Sequence, residues 1–515
     1  AVDLLQSPEA PIVILDTLSG VADPLPLAVL APDARTVGVM LPTTPLHQLL
    51  LAPADPADPT PAFRALVMTS GNASGEPICT TTPEAIERLG SIADAMLTHN
   101  REVALRNDDS LATIQLGEPQ IWRRARGYAP RPIRLDTELP ECILGMGAEL
   151  KNTVALGYDK ELVMSPHVGD LATPEALDGF DQVVDVLRHF LGKQPDRIAV
   201  DLHPDMHATR TGRALAAELS IPVYEVQHHY AHACAGLAEH GWSEALALIF
   251  DGTGLGTDGS IWGAELLHVG VDSWRRLATF VPVPLPGGDA AVRHPIRQVV
   301  ARCRDAGCAL PTWLARAYNV TDAQLAGWQL AIDRQLNAPL THAAGRLFDS
   351  VSAFLGVAPA TVTYEGQGPI RLEALAKAAP EPAADGGVFA YEARWLSPHL
   401  LGIDWAPAIR NLATFEDGIS AARQAALARG FHEAVARAAT EMVEQARDQL
   451  GCRCRNVVLG GGVFMNRLLT AAVNDKLRKR GFTVGLQRRI PPNDGGIAAG
   501  QVMAAAHNRK PCTCV

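Results

Sequence analysis

No stretch of the 515-residue chain reaches the ~18 consecutive apolar residues that a membrane-spanning helix requires. No basic segment followed by an apolar one opens the chain, so no secretory leader is visible and the expected location is the cytoplasm. Basic excess is missing too. The 45 Lys and Arg stand against 56 Asp and Glu, a net charge of −11, which argues against a general nucleic-acid binder while leaving room for a local basic pocket. The nine cysteines form no C-x-x-C pair. The C-x-C pairs Cys452/Cys454 and Cys512/Cys514 are weak metal signals, and an odd, scattered set fits reduced thiols rather than a disulfide scaffold. No G-x-x-x-x-G-K-[ST] occurs, which disfavours a P-loop kinase. Gly254, Gly256 and Gly259 satisfy G-x-G-x-x-G, but a strand-like run follows them where a dinucleotide-binding unit needs a helix.

What is present is the balance of a soluble globular protein, 47% apolar and 20% charged, with a length that predicts two to four domains. The first ~135 residues mix short strands, expected at 12–15, 37–41 and 65–68, with short helices, and close on Tyr128-Ala129-Pro130-Arg131-Pro132. From Ile143 the pattern changes. A hairpin is expected from 143–147 and 153–156. Helices at 174–192, 207–219 and 229–240 then alternate with strands at 197–200, 223–226 and 245–250. A second αβ half follows Ala291, with a long helix at 418–450, a strand at 456–459, a helix at 464–480, a strand at 482–486 and a last helix at 495–507. Such alternation predicts α/β layers with mostly parallel sheets. Pro380 to Asp385 reads as an exposed loop.

Three constellations point to chemistry. In Gln227-His228-His229-Tyr230-Ala231-His232, His228 and His232 share one helix face at i, i+4; His229 with His232 would serve as well. Asp251, ending a buried apolar strand, and Asp494, in a loop before the last helix, are well-placed carboxylates. A His₂Asp₂ set suits Fe, Zn or Mn more than Mg or Ca. Second, Asp251-Gly252-Thr253-Gly254 and Leu459-Gly460-Gly461-Gly462 offer backbone N–H groups to a nucleotide. Third, Thr69-Ser70-Gly71-Asn72 ends a strand-like run, and Arg101, Arg106, Arg123, Arg124 and Arg126 follow it, a set suited to phosphate or carboxylate.

Taken together these motifs resemble the HypF carbamoyltransferase family of [NiFe]-hydrogenase maturation, over nearly the whole chain. Gly38-Val39-Met40-Leu41-Pro42, Thr69-Ser70-Gly71-Asn72, His99-Asn100-Arg101 and Arg126-Gly127-Tyr128 are similar to its YrdC-like domain. Gly147-Ala148-Glu149-Leu150-Lys151-Asn152-Thr153, His167-Val168-Gly169-Asp170, Asp201-Leu202-His203-Pro204, Gly345-Arg346-Leu347-Phe348-Asp349 and Tyr364-Glu365-Gly366 are similar to its TsaD-like domain. The resemblance implies a partial YrdC-like α/β domain over 1–136, then a two-lobed actin/sugar-kinase-like domain over 140–515 with the lobes dividing near 285. It implies that ATP and carbamate, from carbamoyl phosphate, give carbamoyl-adenylate, whose carbamoyl group passes to the C-terminal cysteine of HypE. It also implies one divalent cation, Fe or Zn, on His228, His232, Asp251 and Asp494, with His228, His232 and Lys151 in catalysis. Gly252, Gly254, Asp349, Gly366, Gly461, Gly462 and Asn466 would hold the nucleotide of the transfer site, and Thr69, Ser70, Asn72, Arg101 and Arg126 the adenylate-forming pocket.

The chain departs from the family pattern at its start. Members open with an acylphosphatase-like domain and two zinc-finger modules, whereas Ala1 falls midway through the YrdC-like domain, as expected of a fragment. Thr43-Thr44 replaces an aromatic-containing dipeptide before Pro45-Leu46-His47. Two rival readings carry weight: an O-carbamoyltransferase of a small molecule, whose members tend to place the metal domain first, and a tRNA-threonylcarbamoylation or RNA-binding protein, against which the net charge argues.

Overall fold

The computed structural model describes residues 1–18, 25–55, 57–73, 75–270, 273–379, 387–415, 419–449, 451 and 453–507. The loop expected at Pro380–Asp385, Cys452 and the Cys512/Cys514 pair lie outside them. Among the described residues no helix is long and apolar enough to cross a membrane.

Three sheets organise the described residues. The first has four strands in the spatial order Thr36–Val39, Ile12–Asp16, Leu111–Gln115, Glu118–Arg123. Two helices in the intervening segment, Pro45–Leu51 and Thr82–Leu89, each begin behind a threonine N-cap, Thr44 and Thr81, whose hydroxyl accepts a backbone N–H three residues on. The strand expected at 65–68 does not form. Val67 and Met68 are 73% and 52% exposed, and four apolar residues with neither a sheet partner nor a core against them have nothing to hold them extended.

The second sheet, of six strands, runs Val223–Val226, Arg197–Asp201, Ile143–Gly145, Ala155–Tyr158, Glu161–Met164, Ile133–Arg134. The hairpin read from 143–156 is there, as an antiparallel pair of Ile143–Gly145 and Ala155–Tyr158. The third and largest sheet is built on Glu244–Leu255. This strand pairs antiparallel with Ile261–Gly270 and parallel with Asn456–Gly460, which in turn pairs with Thr483–Leu486.

Helices His228–His240 and Ile497–His507 lie between the second and third sheets, in one apolar core that takes residues from both. Small residues allow this. A Cβ on Gly500 would stand 1.8 Å from the Ala231 carbonyl oxygen, one on Gly145 2.4 Å from the Ala498 carbonyl oxygen, and one on Gly236 2.2 Å from Val458. The chain therefore passes from the six-stranded to the nine-stranded sheet between Val226 and Glu244, upstream of the division expected near 285. The reason is a long-range pairing. Glu244–Leu255 looks by sequence order like the end of the first half, but its parallel partner comes some two hundred residues later.

Candidate metal centre and interdomain cleft

The histidines lie on the first turns of helix His228–His240, which starts where strand Val223–Val226 ends. Gln227 caps it, accepting the Tyr230 N–H at 2.9 Å. Asp251 sits where the pairing of Glu244–Leu255 with Ile261–Gly270 loses register, between Phe250 and Gly254; the irregularity turns its carboxylate off the ladder. Asp494 opens a short 3₁₀ turn capped by Asn493, whose Oδ1 accepts the Gly495 N–H at 3.0 Å.

The four side chains converge. One ligand atom from each of His228, His232, Asp251 and Asp494 lies within 4.8 Å of all the others. His228 Nε2 is 3.4 Å from Asp251 Oδ2 and 3.7 Å from Asp494 Oδ1; His232 Nε2 is 3.4 and 3.6 Å from the same oxygens. These distances are too long for good hydrogen bonds, and the buried Nε2 atoms of both histidines and Oδ2 of Asp251 have no hydrogen-bond partner. Two buried imidazole nitrogens and one buried carboxylate oxygen without partners, with the half-buried carboxylate of Asp494 facing them, are a donor set that fits a divalent transition metal. Burial alone would lower the imidazole pKa values. The carboxylates of Asp201, Asp251 and Asp494 outweigh it and raise His228 well above its ordinary value, and Asp251 and Asp494 raise His232. Against the opposing effect of burial, the two imidazoles hold Asp251 well below the usual carboxylate range.

His229 takes no part. Its ring turns toward Trp262, its Nδ1 meets Gln227 Nε2 at 3.0 Å, and burial lowers its pKa to about 3. Sequence reasoning missed Asp201 as a site residue. Its buried Oδ2 lies 2.9 Å from His228 Nδ1, while its Oδ1 accepts the His203 N–H at 2.9 Å. A signal was there: Asp201 ends a buried strand, and like Asp251 it follows an apolar run in the sequence.

The glycines crowd the same place. A Cβ on Gly254 would stand 2.5 Å from His229 Cε1 and 2.9 Å from His228 Cδ2. Gly461, at φ +90°, has the Phe250 carbonyl oxygen where a Cβ would go. The N–H groups of Gly252 and Gly462 donate to Asp251 Oδ1 at 2.8 and 3.3 Å. Asp349 is buried on helix Ala344–Phe354, with Arg346 Nη1 at 3.2 Å. Gly366, at φ +74°, precedes helix Gln367–Ala376. Asn466 is committed at both ends, accepting the Leu469 N–H at 2.9 Å and donating to His432 Nε2 at 2.8 Å.

Lys151 stands between this centre and the first domain. Its ammonium pairs with Glu365, and the charges of Glu365 and Asp494 raise its pKa against the effect of burial. The adjoining Thr153 hydroxyl donates to the Gly495 carbonyl at 2.9 Å, which ties the loop to Asp494. Lys151 also lines a cleft of about 370 Å³ between the first and second sheets' domains, with Ser70, Asn72, Arg106, Arg123 and His167. Of the five pocket residues expected in the first domain, only Ser70 and Asn72 line this cleft. Thr69 and Arg101 are exposed outside its lining. Arg126 is spent on structure, donating to Asp109 at 2.7 Å and to the Ala10 carbonyl at 2.9 Å. Arg106 and Arg123 line the cleft instead; Arg106 is held there by donating from Nε to the Ile78 carbonyl and from Nη1 to the Glu175 carbonyl, both at 3.0 Å.

Residues 2–125 match a family model described as telomere recombination, which includes YrdC. Residues 138–239 match the HypF Kae1-like domain, and residues 247–501 match the second subdomain of the carbamoyltransferase Kae1-like domain. Carbamoyltransferase HypF2 of Cupriavidus necator is 40% identical over 98% of this chain and 64% of its own length. A carbamoyltransferase HypF homolog of the same organism is 36% identical over 71% of this chain and 91% of its own length. A crystal structure of full-length HypF in the phosphate- and nucleotide-bound form superposes with TM-score 0.83 at 33% identity, covering 98% of this chain and 75% of that one. The fold and site thus define a protein that joins a YrdC-type domain to a Kae1-like domain. The chain belongs to the HypF carbamoyltransferase family, and it spans about 64% of the length of HypF2.

Proposed function

We propose that this chain acts as a carbamoyltransferase of [NiFe]-hydrogenase maturation. In the first step a carbamate oxygen attacks the α-phosphorus of ATP, the bond to the β-phosphate breaks, and pyrophosphate leaves. In the second the thiolate of the C-terminal cysteine of HypE attacks the carbamoyl carbon, the carbon–oxygen bond to the phosphate breaks, and AMP leaves. The product thiocarbamate is the precursor of the cyanide ligands.

The cleft beside Lys151 takes the first step in this reading. Arg123 and the remaining Nη2 of Arg106 give the cleft its guanidinium donors, and Ser70 and Asn72 add short hydrogen-bonding groups, the chemistry that holds phosphate oxygens. The buried centre takes the second. His228, His232, Asp251 and Asp494 would hold an Fe or Zn cation, which would supply Lewis-acid polarisation of a carbonyl or phosphate oxygen. Asp201 keeps the His228 ring oriented through Nδ1. Gly252, Gly461 and Gly462 let the backbone close tightly on Arg346, Phe250 and Asp251, and the nucleoside in this reading lies beside Asp251. Lys151, with its ammonium charge supported by Glu365 and Asp494, bridges the two sites and attracts an anionic adenylate.

The single observation carrying the reading is the convergence of four ligand atoms within 4.8 Å from three separate segments of chain. The test supplies carbamoyl-adenylate with a labelled carbamoyl group, so that the transfer step is read by itself on HypE. The chain is expected to bind one divalent metal and to label the HypE cysteine. His232→Ala is expected to keep the far-ultraviolet dichroism of the parent and to lose metal and transfer together. Full labelling by a His232→Ala protein that retains its metal would overturn the assignment.

A further inference from the structure

We propose that Arg346 is the anion-reading residue of the transfer site and takes the phosphate of a bound adenylate. This rests on the nucleotide reading above and assigns a role to a residue that neither the metal cluster nor the glycine loops require.

The side chain of Arg346 is 10% exposed. It rises from the first turn of helix Ala344–Phe354, and that turn packs against the loop after Asp251: a Cβ on Gly345 would stand 2.9 Å from Gly252 Cα. The guanidinium therefore reaches the metal centre's own loop. Its Nη2 lies 3.0 Å from the point a Cβ on Gly252 would occupy, and the Gly252 N–H is bonded to the Asp251 carboxylate. A side chain at 252 would fill this space, so glycine there keeps the guanidinium tip next to Asp251.

The donors of Arg346 are poorly met. Nε and Nη1 have no hydrogen-bond acceptor. The nearest carboxylate is Asp349, 3.2 Å from Nη1, in a contact without hydrogen-bond geometry. Asp349 is not Arg346's alone. Gln298 Nε2 approaches it at 3.5 Å, the buried Arg302 on the same helix as Gln298 also faces it, and burial raises its pKa. Arg302 is further faced by Asp305. The other acids nearby, Asp251 and Asp494, are directed at the two imidazoles. A buried guanidinium with unmet donors is costly unless an anion completes it. Its fork matches phosphate oxygens, and it lies beside Gly252, the residue after Asp251, and beside Asp349. One anion placed between the cation and Nη2 would give each an oxygen, and its charge would offset that of a buried guanidinium whose Nε and Nη1 lack acceptors. The ligand class is a nucleoside monophosphate or its acyl derivative, read through its phosphate charge.

Cobalt(II) in the four-residue cluster provides a local reporter, because its visible spectrum responds to ligands beside Asp251 and not to occupancy of the interdomain cleft. The cobalt-loaded chain is titrated with AMP and with adenosine. The wild type is expected to respond to AMP with a Kd at least about tenfold tighter than to adenosine. Arg346→Gln is expected to erase that preference while leaving the adenosine Kd within about twofold, and Arg346→Lys to recover part of it. An AMP preference that survives Arg346→Gln undamaged would overturn the inference, as would equal wild-type responses to the two ligands; in both cases the nucleotide reading stands. A wild-type spectrum indifferent to both ligands would remove the nucleotide site itself, and Arg346's role with it.

Discussion

Replacing Asp201 by leucine should weaken metal binding without touching a ligand. The Asp201 carboxylate is buried, and its Oδ2 lies 2.9 Å from His228 Nδ1. When Nε2 of His228 faces a cation, Nδ1 carries the proton and Asp201 accepts it. Leucine is larger than aspartate, so retained dichroism is checked first; it has no acceptor and leaves that N–H unsatisfied in a place closed to water. An unsatisfied buried donor costs about 1–3 kcal/mol, and loss of a carboxylate that orients a metal-bound histidine typically costs about 10- to 100-fold in affinity. The two ranges agree, since tenfold is about 1.4 kcal/mol. Competition for zinc against a chromophoric chelator should therefore give a Kd raised about 10- to 100-fold in Asp201→Leu. Asp201→Asn keeps an acceptor oxygen but loses its charge, and should give about 3- to 10-fold. Wild-type affinity in Asp201→Leu would refute the reasoning. Equal losses in both variants would move the effect from orientation to charge alone.

Three further expectations follow from the same geometry. In chelator-treated protein the raised pKa values of His228 and His232 stabilise the fold fully below about pH 6.5, and that contribution is lost as pH rises through the raised folded values. The Tm of the metal-free chain should accordingly fall from pH 6.5 upward, whereas zinc, which displaces those protons, should raise the Tm more at pH 8 than at pH 6; a metal-free Tm that climbs over this range would contradict the charge state assigned to the pair. Gly254→Ala forces a methyl group to 2.5 Å from one buried imidazole and 2.9 Å from another. It should destabilise by about 1–3 kcal/mol in denaturant titration and raise the zinc Kd, and a neutral outcome on both would show that the rings can give way. Asp33 of the first domain accepts hydrogen bonds from Tyr364 at 2.8 Å, Gln367 at 2.9 Å and Arg371 at 2.6 Å. Asp33→Ala should speed hydrogen exchange over residues 364–371, next to Gly366, with zinc affinity unchanged, and unaltered exchange there would mean that the interface holds without it.

The candidate ligands were readable in the sequence because each had a local mark: histidines at i, i+4 or i, i+3, one aspartate ending an apolar run, and another in a loop before a helix. The choice of His228 over His229 was not readable. Both pair with His232 by spacing, and what separates them is Asp201 on one side and Gln227 with Trp262 on the other, contacts made between distant segments. The first domain was read less well for a related reason. An arginine's role depends on what it faces: Arg126 faces Asp109 and a backbone carbonyl away from the cleft, Arg123 lines the cleft, and Arg106 lines it while donating to the Ile78 and Glu175 carbonyls. The strand expected at 65–68 had the right residues but no partner strand.

The sequence by itself determined the order of elements, the αβ alternation and the side chains able to bind a cation, because these rest on periodicity, capping and spacing along the chain; the family was legible only through its resemblance in motif. Tertiary structure alone decided where one sheet gives way to the other, which imidazole turns inward, and which guanidinium groups reach the site. Those depend on parallel pairings and close helix crossings between segments hundreds of residues apart, as where Glu244–Leu255 meets Asn456–Gly460, and no local pattern encodes the partner.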